Sequence, residues 1–220
     1  AIGLFQAHAL LRRLVPQLVI GFGGYASVPT MLAAGLGGYA AAIHEQNAVL
    51  GRANRMLASR VKKIATCFDN VAGVPEGMDT KVVCTGMPVR PVVIACRDTP
   101  YPELDDDSPL HLLVFGGSQG ARVLSDVVPH AVGRLGGHLK QRLRITQQCR
   151  PEDLNRVRDE YAKAGVAAEL EIFFDDLPKR IGASHLVIGR SGASTVAELT
   201  TIGRPAILIP YPNATDDHQS

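Results

Sequence analysis

Short apolar runs alternate with segments of helical periodicity along most of the chain. Strands are predicted at 17–22, 41–45, 62–68, 81–86, 110–116, 142–149, 168–174, 185–190 and 205–210. Helices are predicted at 2–15, 28–37, 50–61, 119–135, 151–165, 178–184 and 193–202. Apolar strands separated by helices indicate parallel sheets that are covered on both faces. The pattern therefore predicts an α/β protein with two Rossmann-like domains.

One segment interrupts this alternation. Residues 97–109, RDTPYPELDDDSP, are rich in Pro and Asp and show no periodicity, as is typical of a boundary. We therefore predict a first domain over 1–91, a linker over 92–108 and a second domain over 109–220. The chain begins with Ala and stops at DDHQS after a strand. We expect a fragment of a longer protein, with both domains incomplete.

Composition narrows the possible function classes. The chain is 46% hydrophobic and 20% charged, which is typical of a soluble globular protein. A net charge of +2, few aromatic residues and no Trp argue against a nucleic-acid partner. No apolar run reaches the length of a membrane span, and no signal peptide is visible. The cysteines form no CxxC pair and are predicted to be reduced and buried: Cys67, Cys84, Cys96 and Cys149.

Three loops share one form, GFGGYAS (21–27), FGGSQGA (115–121) and GRSGAST (189–195). Each follows an apolar run and precedes a helix. Glycines let the backbone approach a ligand, and a helix start offers free N–H groups to an anion. In the second loop, Ser118 is placed to cap the helix that follows. The loops together predict phosphate-bearing ligands, although an ordinary strand-to-helix connection would explain any one of them.

Two carboxylates leave alternatives open. The first loop matches G-x-G-x-x-A, and Glu45 follows at about the spacing of the ribose carboxylate in dinucleotide folds. An NAD-dependent oxidoreductase is therefore a rival hypothesis. In SGASTVAEL (191–199), Glu198 is placed to accept ribose hydroxyls. It also fits a capping box with Thr195.

Other polar residues lie at predicted strand ends. The run HEQN (44–47) offers donors and acceptors, as a hydroxyl-rich substrate requires. Arg90, in TGMPVR (85–90), is either an exposed arginine or one that reaches a nucleotide from the first domain. The Asp105-x-Asp107 pair lies in the polar segment and is interpreted as solvated charge, so no metal site is predicted.

Seven motifs occur in order: GGYAS, HEQN, TGMPVR, FGGSQGAR, FFDDL, RSGASTVAEL and DDHQ. Over essentially the whole chain they resemble the MurG family of bacterial peptidoglycan glycosyltransferases. The resemblance implies a GT-B-like fold, with two Rossmann-like parallel-sheet domains facing a cleft. It implies an inverting transferase, with no cofactor, that moves N-acetylglucosamine from UDP-N-acetylglucosamine to the muramoyl 4-hydroxyl of lipid I, giving lipid II. It also implies a peripheral location on the cytoplasmic face of the bacterial inner membrane, with residues 2–14 as a contact surface.

The resemblance also implies roles for individual residues. UDP-N-acetylglucosamine would be bound by Asn47, Arg90, Ser118, Phe174, Ala193, Ser194, Thr195, Glu198 and Gln219. Within this set, Ser118 would hold a phosphate, the Phe174 backbone the uracil, Glu198 the ribose and Gln219 the sugar. Gly23 and Gly24 would shape the acceptor side, and His44 and Glu45 are the candidates for a general base.

The chain departs from the family at three places. Met87 stands where the family usually has Asn, and the N-terminal glycine-rich loop with its His and the C-terminal segment lie outside the sequence. A non-catalytic nucleotide-sugar-binding remnant is therefore a third hypothesis.

Overall fold

The computed structural model describes residues 2–117 and 120–211, which form two compact units, residues 2–88 and 89–211. Each unit has its own sheet, and in both sheets neighbouring strands pair in parallel. The prediction of two parallel-sheet α/β domains is confirmed.

The first unit contains a four-stranded sheet in the order β1-β2-β3-β4. Its strands are β1 (Val19–Gly21), β2 (Ala41–Glu45), β3 (Lys63–Thr66) and β4 (Val82–Cys84). Its helices are α1 (Ile2–Leu14), α2 (Val28–Leu36) and α3 (Arg52–Leu57), with 3-10 turns at Tyr25–Ser27, Ala58–Arg60 and Asp79–Lys81. Gly21 packs against α2, since a Cβ there would lie 2.8 Å from the Met31 Sδ. Close packing of strand on helix therefore requires this glycine, with or without a ligand.

The second unit contains a five-stranded sheet in the order β7-β6-β5-β8-β9. Its strands are β5 (Leu110–Phe115), β6 (Leu143–Gln148), β7 (Ala167–Glu171), β8 (Leu186–Arg190) and β9 (Ala206–Ile209). Its helices are α4 (Pro91–Ile94), α5 (Arg122–Gly133), α6 (Gly137–Arg142), α7 (Leu154–Ala164), α8 (Leu177–Ala183) and α9 (Ala193–Ile202), with a 3-10 turn at Pro151–Asp153. The sequence pattern did not predict α4 and α6, which are short.

Strand β5 is buried on both faces. Successive side chains of a strand point to opposite sides, so Leu112 and Val114 join the core under α5 and α7. Leu113 and Phe115 join the core under α8 and α9. The chain runs from β5 outward to β7 and then returns to β8 on the other side of β5. The strand order thus reverses between β5 and β8, the position where ligands bind in open parallel sheets.

The predicted linker belongs to the second unit. Val93 and Cys96 are buried in the core under α8 and α9. Tyr101 donates a hydrogen bond from its hydroxyl to the His185 carbonyl oxygen, at 2.9 Å. The boundary between the units therefore lies near residue 88, and 92–108 is a packed strap on the second unit. The Pro- and Asp-rich composition of this segment gave no sign of these contacts with the second unit.

A buried arginine fixes this strap. The Arg204 side chain is 7% exposed and donates hydrogen bonds to the carbonyl oxygens of Thr99 (3.0 Å), Pro100 (2.7 Å) and Gly182 (3.1 Å from Nε). One guanidinium thereby joins the strap to helix α8. Its fork of donors satisfies carbonyl groups that no regular ladder reaches.

Cysteine burial differs from the prediction at two positions. All four cysteines are free thiols; Cys96 and Cys149 are buried, Cys67 is half-buried and Cys84 is exposed. Burial raises the pKa of the Cys149 thiol. Cys84 ends β4, the outer strand of the first sheet in the described chain, which explains its exposure.

Replacing Arg204 with Met should destabilise the second unit by about 2–3 kcal/mol, because several buried carbonyl oxygens would lose their donors. The measurement is urea unfolding followed by far-UV circular dichroism. Arg97→Met, at an exposed position on the same strap, is the control. Equal losses in the two variants would show that the clamp contributes nothing.

Candidate functional site

A cavity of about 350 Å³ opens in the second unit where the strand order reverses. Its walls come from the loop after β5, the end of β6, the loop after β7 and helix α9. Its lining includes Arg90, Phe115, Gly117, Gln148, Phe174, Ser194, Thr195 and Glu198. The carboxyl edge of this sheet therefore brings together five of the predicted donor-site residues.

The loop after β5 has a backbone that only glycine permits. A Cβ at Gly116 would lie 2.2 Å from the Ala121 backbone nitrogen, and Gly117 has a φ of +85°. The Gly116 N–H donates to the Gln148 Oε1 at 3.2 Å, so the end of β6 fixes this loop. Helix α5 begins at Arg122 with Ala121 as its N-cap. The predicted capping residue, Ser118, lies outside the described residues.

Phe174 is fixed by burial of its ring. The side chain is 6% exposed and packs in the core under α8 and α9, with the Arg180 guanidinium 4.6 Å from its ring centroid. Arg180 is positioned by Asp176, whose carboxylate accepts from its Nε at 2.7 Å, and this hydrogen bond lowers the pKa of Asp176. Because the ring is an anchor, Phe174 holds its backbone at the wall of the cavity.

Glu198 forms an ion pair across the cavity wall. Its Oε1 accepts from the Arg90 Nη2 at 3.0 Å, and the Glu198 side chain is 14% exposed whereas that of Arg90 is 61% exposed. Helix α9 begins at Ala193 with Gly192 as its N-cap, so Thr195 lies inside the helix. The prediction of a capping box between Thr195 and Glu198 is therefore wrong. Arg90 lies in the second unit, which corrects its assignment to the first domain.

Three further predicted residues form the first turn of helix α9. Ala193 is its first residue, and Ser194 and Thr195 line the cavity. Their backbone N–H groups belong to the first turn, where an anion finds unsatisfied donors. Gln219 lies outside the described residues.

The first unit has a separate cavity of about 250 Å³. Gly23, Gly24 and Asn47 line it together with Phe22 and Asn54. Gly23 and Gly24 have φ angles of +79° and +73°, which L-residues rarely adopt. The loop after β1 and the end of β2 therefore line one cavity, which brings Gly23 and Gly24, predicted for the acceptor side, together with Asn47, predicted for the donor.

Glu45 is a buried acceptor that organises this site. Its side chain accepts from the Asn47 N–H and Nδ2, both at 3.0 Å, and from the Gly51 N–H at 2.9 Å and the Asn54 Nδ2 at 2.8 Å. The residue is 2% exposed. Both carboxylate oxygens are thus occupied by protein donors. The NAD hypothesis needs Glu45 to accept ribose hydroxyls, and this geometry contradicts it.

His44 is also used within the protein. Its Nε2 lies 3.0 Å from the Gly86 carbonyl oxygen, so Nε2 carries the hydrogen. Its Nδ1 then accepts from the Gln46 Nε2 at 3.1 Å. These contacts argue against His44 or Glu45 as the general base and indicate that they position the neighbouring loops.

The acidic pair of the strap has a structural role. Asp105 accepts from the backbone N–H groups of Asp107 and Ser108, and the Ser108 hydrogen bond is the main reason that the pKa of Asp105 is lowered. Within residues 2–117 and 120–211, no group of three His, Cys, Asp or Glu side chains is arranged to hold a metal.

Comparison with protein families agrees with this arrangement. The model of the glycosyltransferase family 28 N-terminal domain matches residues 1–66, and that of the family 28 C-terminal domain matches residues 111–220. The chain belongs to glycosyltransferase family 28.

Two relatives are named UDP-N-acetylglucosamine–N-acetylmuramyl-(pentapeptide) pyrophosphoryl-undecaprenol N-acetylglucosamine transferase. This chain is 58% identical to the one from Paramagnetospirillum magneticum and 54% identical to the one from Methylorubrum extorquens. The matches cover 100% and 99% of this chain but 59% of each relative. The crystal structure of MurG from Acinetobacter baumannii matches with a TM-score of 0.78 and 33% identity, covering 98% of this chain and 59% of that one. The predicted GT-B-like fold and MurG resemblance are confirmed, and the chain spans about three-fifths of these relatives.

The sequence analysis missed two polar residues that the family 28 fold brings to its cavities. Gln148 fixes the Gly116 loop, and Asn54 joins Glu45 to the backbone around His44. The signal for Gln148 was present, since QQ (147–148) ends an apolar strand just as HEQN ends β2. Asn54 lies inside helix α3, where no comparable signal exists.

Replacing Glu45 with Gln should destabilise the first unit by about 1–3 kcal/mol, because an amide NH2 would face backbone and side-chain donors. Urea unfolding would report the loss. Glu76→Gln, at an exposed position in the same unit, is the control. A change no larger than the control's would contradict the organising role of the Glu45 carboxylate.

Proposed function

We propose that the second unit binds UDP-N-acetylglucosamine, and that the protein transfers N-acetylglucosamine to the muramoyl 4-hydroxyl of lipid I to give lipid II. The observation that carries this proposal is the Glu198 carboxylate, held by Arg90 at the cavity beside the Phe174 backbone. The names of the family 28 relatives support the same reaction.

Each part of a uridine diphosphate has a counterpart in the second unit. The Phe174 backbone offers hydrogen-bonding groups to the uracil, and the Glu198 carboxylate accepts from the ribose hydroxyls. Arg90 orients that carboxylate through its hydrogen bond. Ser194 and Thr195, at the start of α9, with the Gly117 loop and Ser118, border the phosphates.

The proposed reaction inverts the anomeric carbon of the sugar donor. The 4-hydroxyl of the acceptor attacks, its proton passes to a base, and UDP departs with the bonding electrons. Positive ends of helices and N–H groups of the glycine loop stabilise the charge that develops on the departing diphosphate. The proposal requires no cofactor and no metal.

The acceptor is assigned to the first unit. Gly23 and Gly24 leave the wall of the cavity open, and Asn47 is oriented there by Glu45. The Asn54 Oδ1 is buried without a hydrogen-bond partner among the described residues, so it has capacity for a hydroxyl or amide donor of the acceptor. We propose that lipid I binds along this cavity.

We also propose that helix α1 contacts the cytoplasmic face of the inner membrane. Ile2 and Phe5 are 75% and 74% exposed and lie three residues apart, on one face of the helix. Arg12 and Arg13 lie in its last turn. An exposed apolar face beside cations suits an interface rich in anionic lipid. No helix in the described part of the chain is long and apolar enough to cross a bilayer.

Replacing Glu198 with Ala should weaken UDP binding about 10- to 100-fold, the loss expected when charged hydrogen bonds to the ribose are removed. Isothermal titration with UDP measures the change, and Glu171→Ala, exposed in the same unit, is the control. NAD should not bind to the unchanged protein. Undiminished UDP affinity in the Glu198 variant would refute the ribose contact.

The double variant Ile2→Ser, Phe5→Ser should bind several-fold less to vesicles containing phosphatidylglycerol, because less apolar surface would enter the interface. Co-sedimentation measures the bound fraction. Leu104→Ser, at an exposed apolar residue of the strap, is the control. If the double variant and the control sediment equally with the vesicles, α1 is not the contact surface.

A further inference from the structure

A second cavity in the same unit is rich in arginine. It has a volume of about 510 Å³, and Arg122, Arg150 and Arg190 line it. No acidic side chain is among its described lining residues. It shares Gly117 and Thr195 with the cavity that holds Glu198. A ligand that leaves the first cavity past these two residues therefore enters a cationic environment.

Of these three arginines, Arg150 makes the weakest contacts with the rest of the protein. Its Nε is buried and has no hydrogen-bond partner within the described residues, and its Nη1 lies 4.0 Å from the Glu152 carboxylate. Its side chain is 37% exposed. The stem of Arg150 lies beside Gly120, where a Cβ would come within 3.3 Å of the Arg150 Cγ. The glycine loop thus leaves room for this side chain.

The other two arginines have fixed positions around the same space. Arg190 donates from Nη1 to the Pro210 carbonyl oxygen at 2.7 Å. Arg122 is the first residue of α5, where a cation opposes the helix dipole. Its partner Asp126 lies 3.8 Å away and is bound more closely by Arg156, at 2.7 Å. An anion in the cavity would relieve this unfavourable arrangement of charge.

We propose that Arg150, supported by Arg190, binds the second phosphate of the nucleotide and makes this unit select a nucleoside diphosphate over the monophosphate. The inference rests on the proposed binding of a uridine nucleotide in the neighbouring cavity. A guanidinium matches a phosphate with paired donors, and its charge is retained at every physiological pH. A nucleoside monophosphate would reach Gly117 and Thr195 but would not extend to Arg150.

The test compares uridine, UMP and UDP by isothermal titration on the 220-residue chain and on Arg150→Gln. In the unchanged protein, UDP should bind more tightly than UMP. In Arg150→Gln, UDP affinity should fall roughly 10- to 100-fold, while uridine and UMP affinities change less than about twofold. Arg150→Lys should retain part of the UDP preference, because the charge remains but the paired donors do not.

Two controls separate this effect from a loss of structure. Arg158→Gln, on the exposed face of α7, removes the same charge from the same unit and should leave all three affinities unchanged. Urea unfolding of Arg150→Gln should match that of the unchanged protein.

The outcomes distinguish failure of this inference from failure of the proposed function. If uridine and UMP bind but UDP is not preferred, or if Arg150→Gln keeps the UDP preference, this inference is overturned and the nucleoside site stands. An equal loss for all three ligands in Arg150→Gln would also overturn it, since Arg150 would then act on the whole site. Failure of the unchanged chain to bind any of the three would overturn the proposed function and this inference together.

Discussion

Burial of β5 on both faces constrains the second unit. Because Leu112 and Leu113 each enter a different core, a shift of the strand by one residue would move each side chain into the opposite core and disrupt the packing of both. Its neighbours β6 and β8 pair with it in fixed register, so their loops end at the same edge. The contact of Gly116 with Gln148 depends on that register. Apolar packing thus positions backbone groups that a ligand requires.

The sequence predicted the sheets because alternation of strand and helix is a local property. It also placed Glu198 and Phe174 near one sheet edge, since both follow strands of the second unit. It could not show that Arg90 reaches Glu198, because 108 positions separate them and the intervening strap looked like a free linker. The strap is bound by Arg204, a long-range contact with no periodic signature. Long-range polar contacts are therefore where the sequence interpretation failed.

Net charge describes this protein poorly. The sequence carries a formal charge of +2, which argues against a large polyanionic partner but says nothing of local potential. Arginines from the ends of β6 and β8 and from the start of α5 line one cavity of the second unit. The topology of the sheet produces this concentration, because residues distant in sequence meet at the strand ends. A nearly neutral chain can therefore present a strongly cationic site.

Glu45 and Glu198 show how the local supply of donors decides what a carboxylate does. Glu45 ends a strand beside a tight turn, and backbone N–H groups of Asn47 and Gly51 reach both its oxygens. Such a carboxylate fixes its surroundings and has little capacity left for a ligand. Glu198 lies on a helix, whose backbone N–H groups bond within the helix, and its carboxylate pairs with the exposed side chain of Arg90. An arginine paired through one nitrogen orients the carboxylate and leaves its second oxygen available to a ribose hydroxyl. The same residue type thus fixes a loop in one unit and, in the proposed function, supports nucleotide recognition in the other.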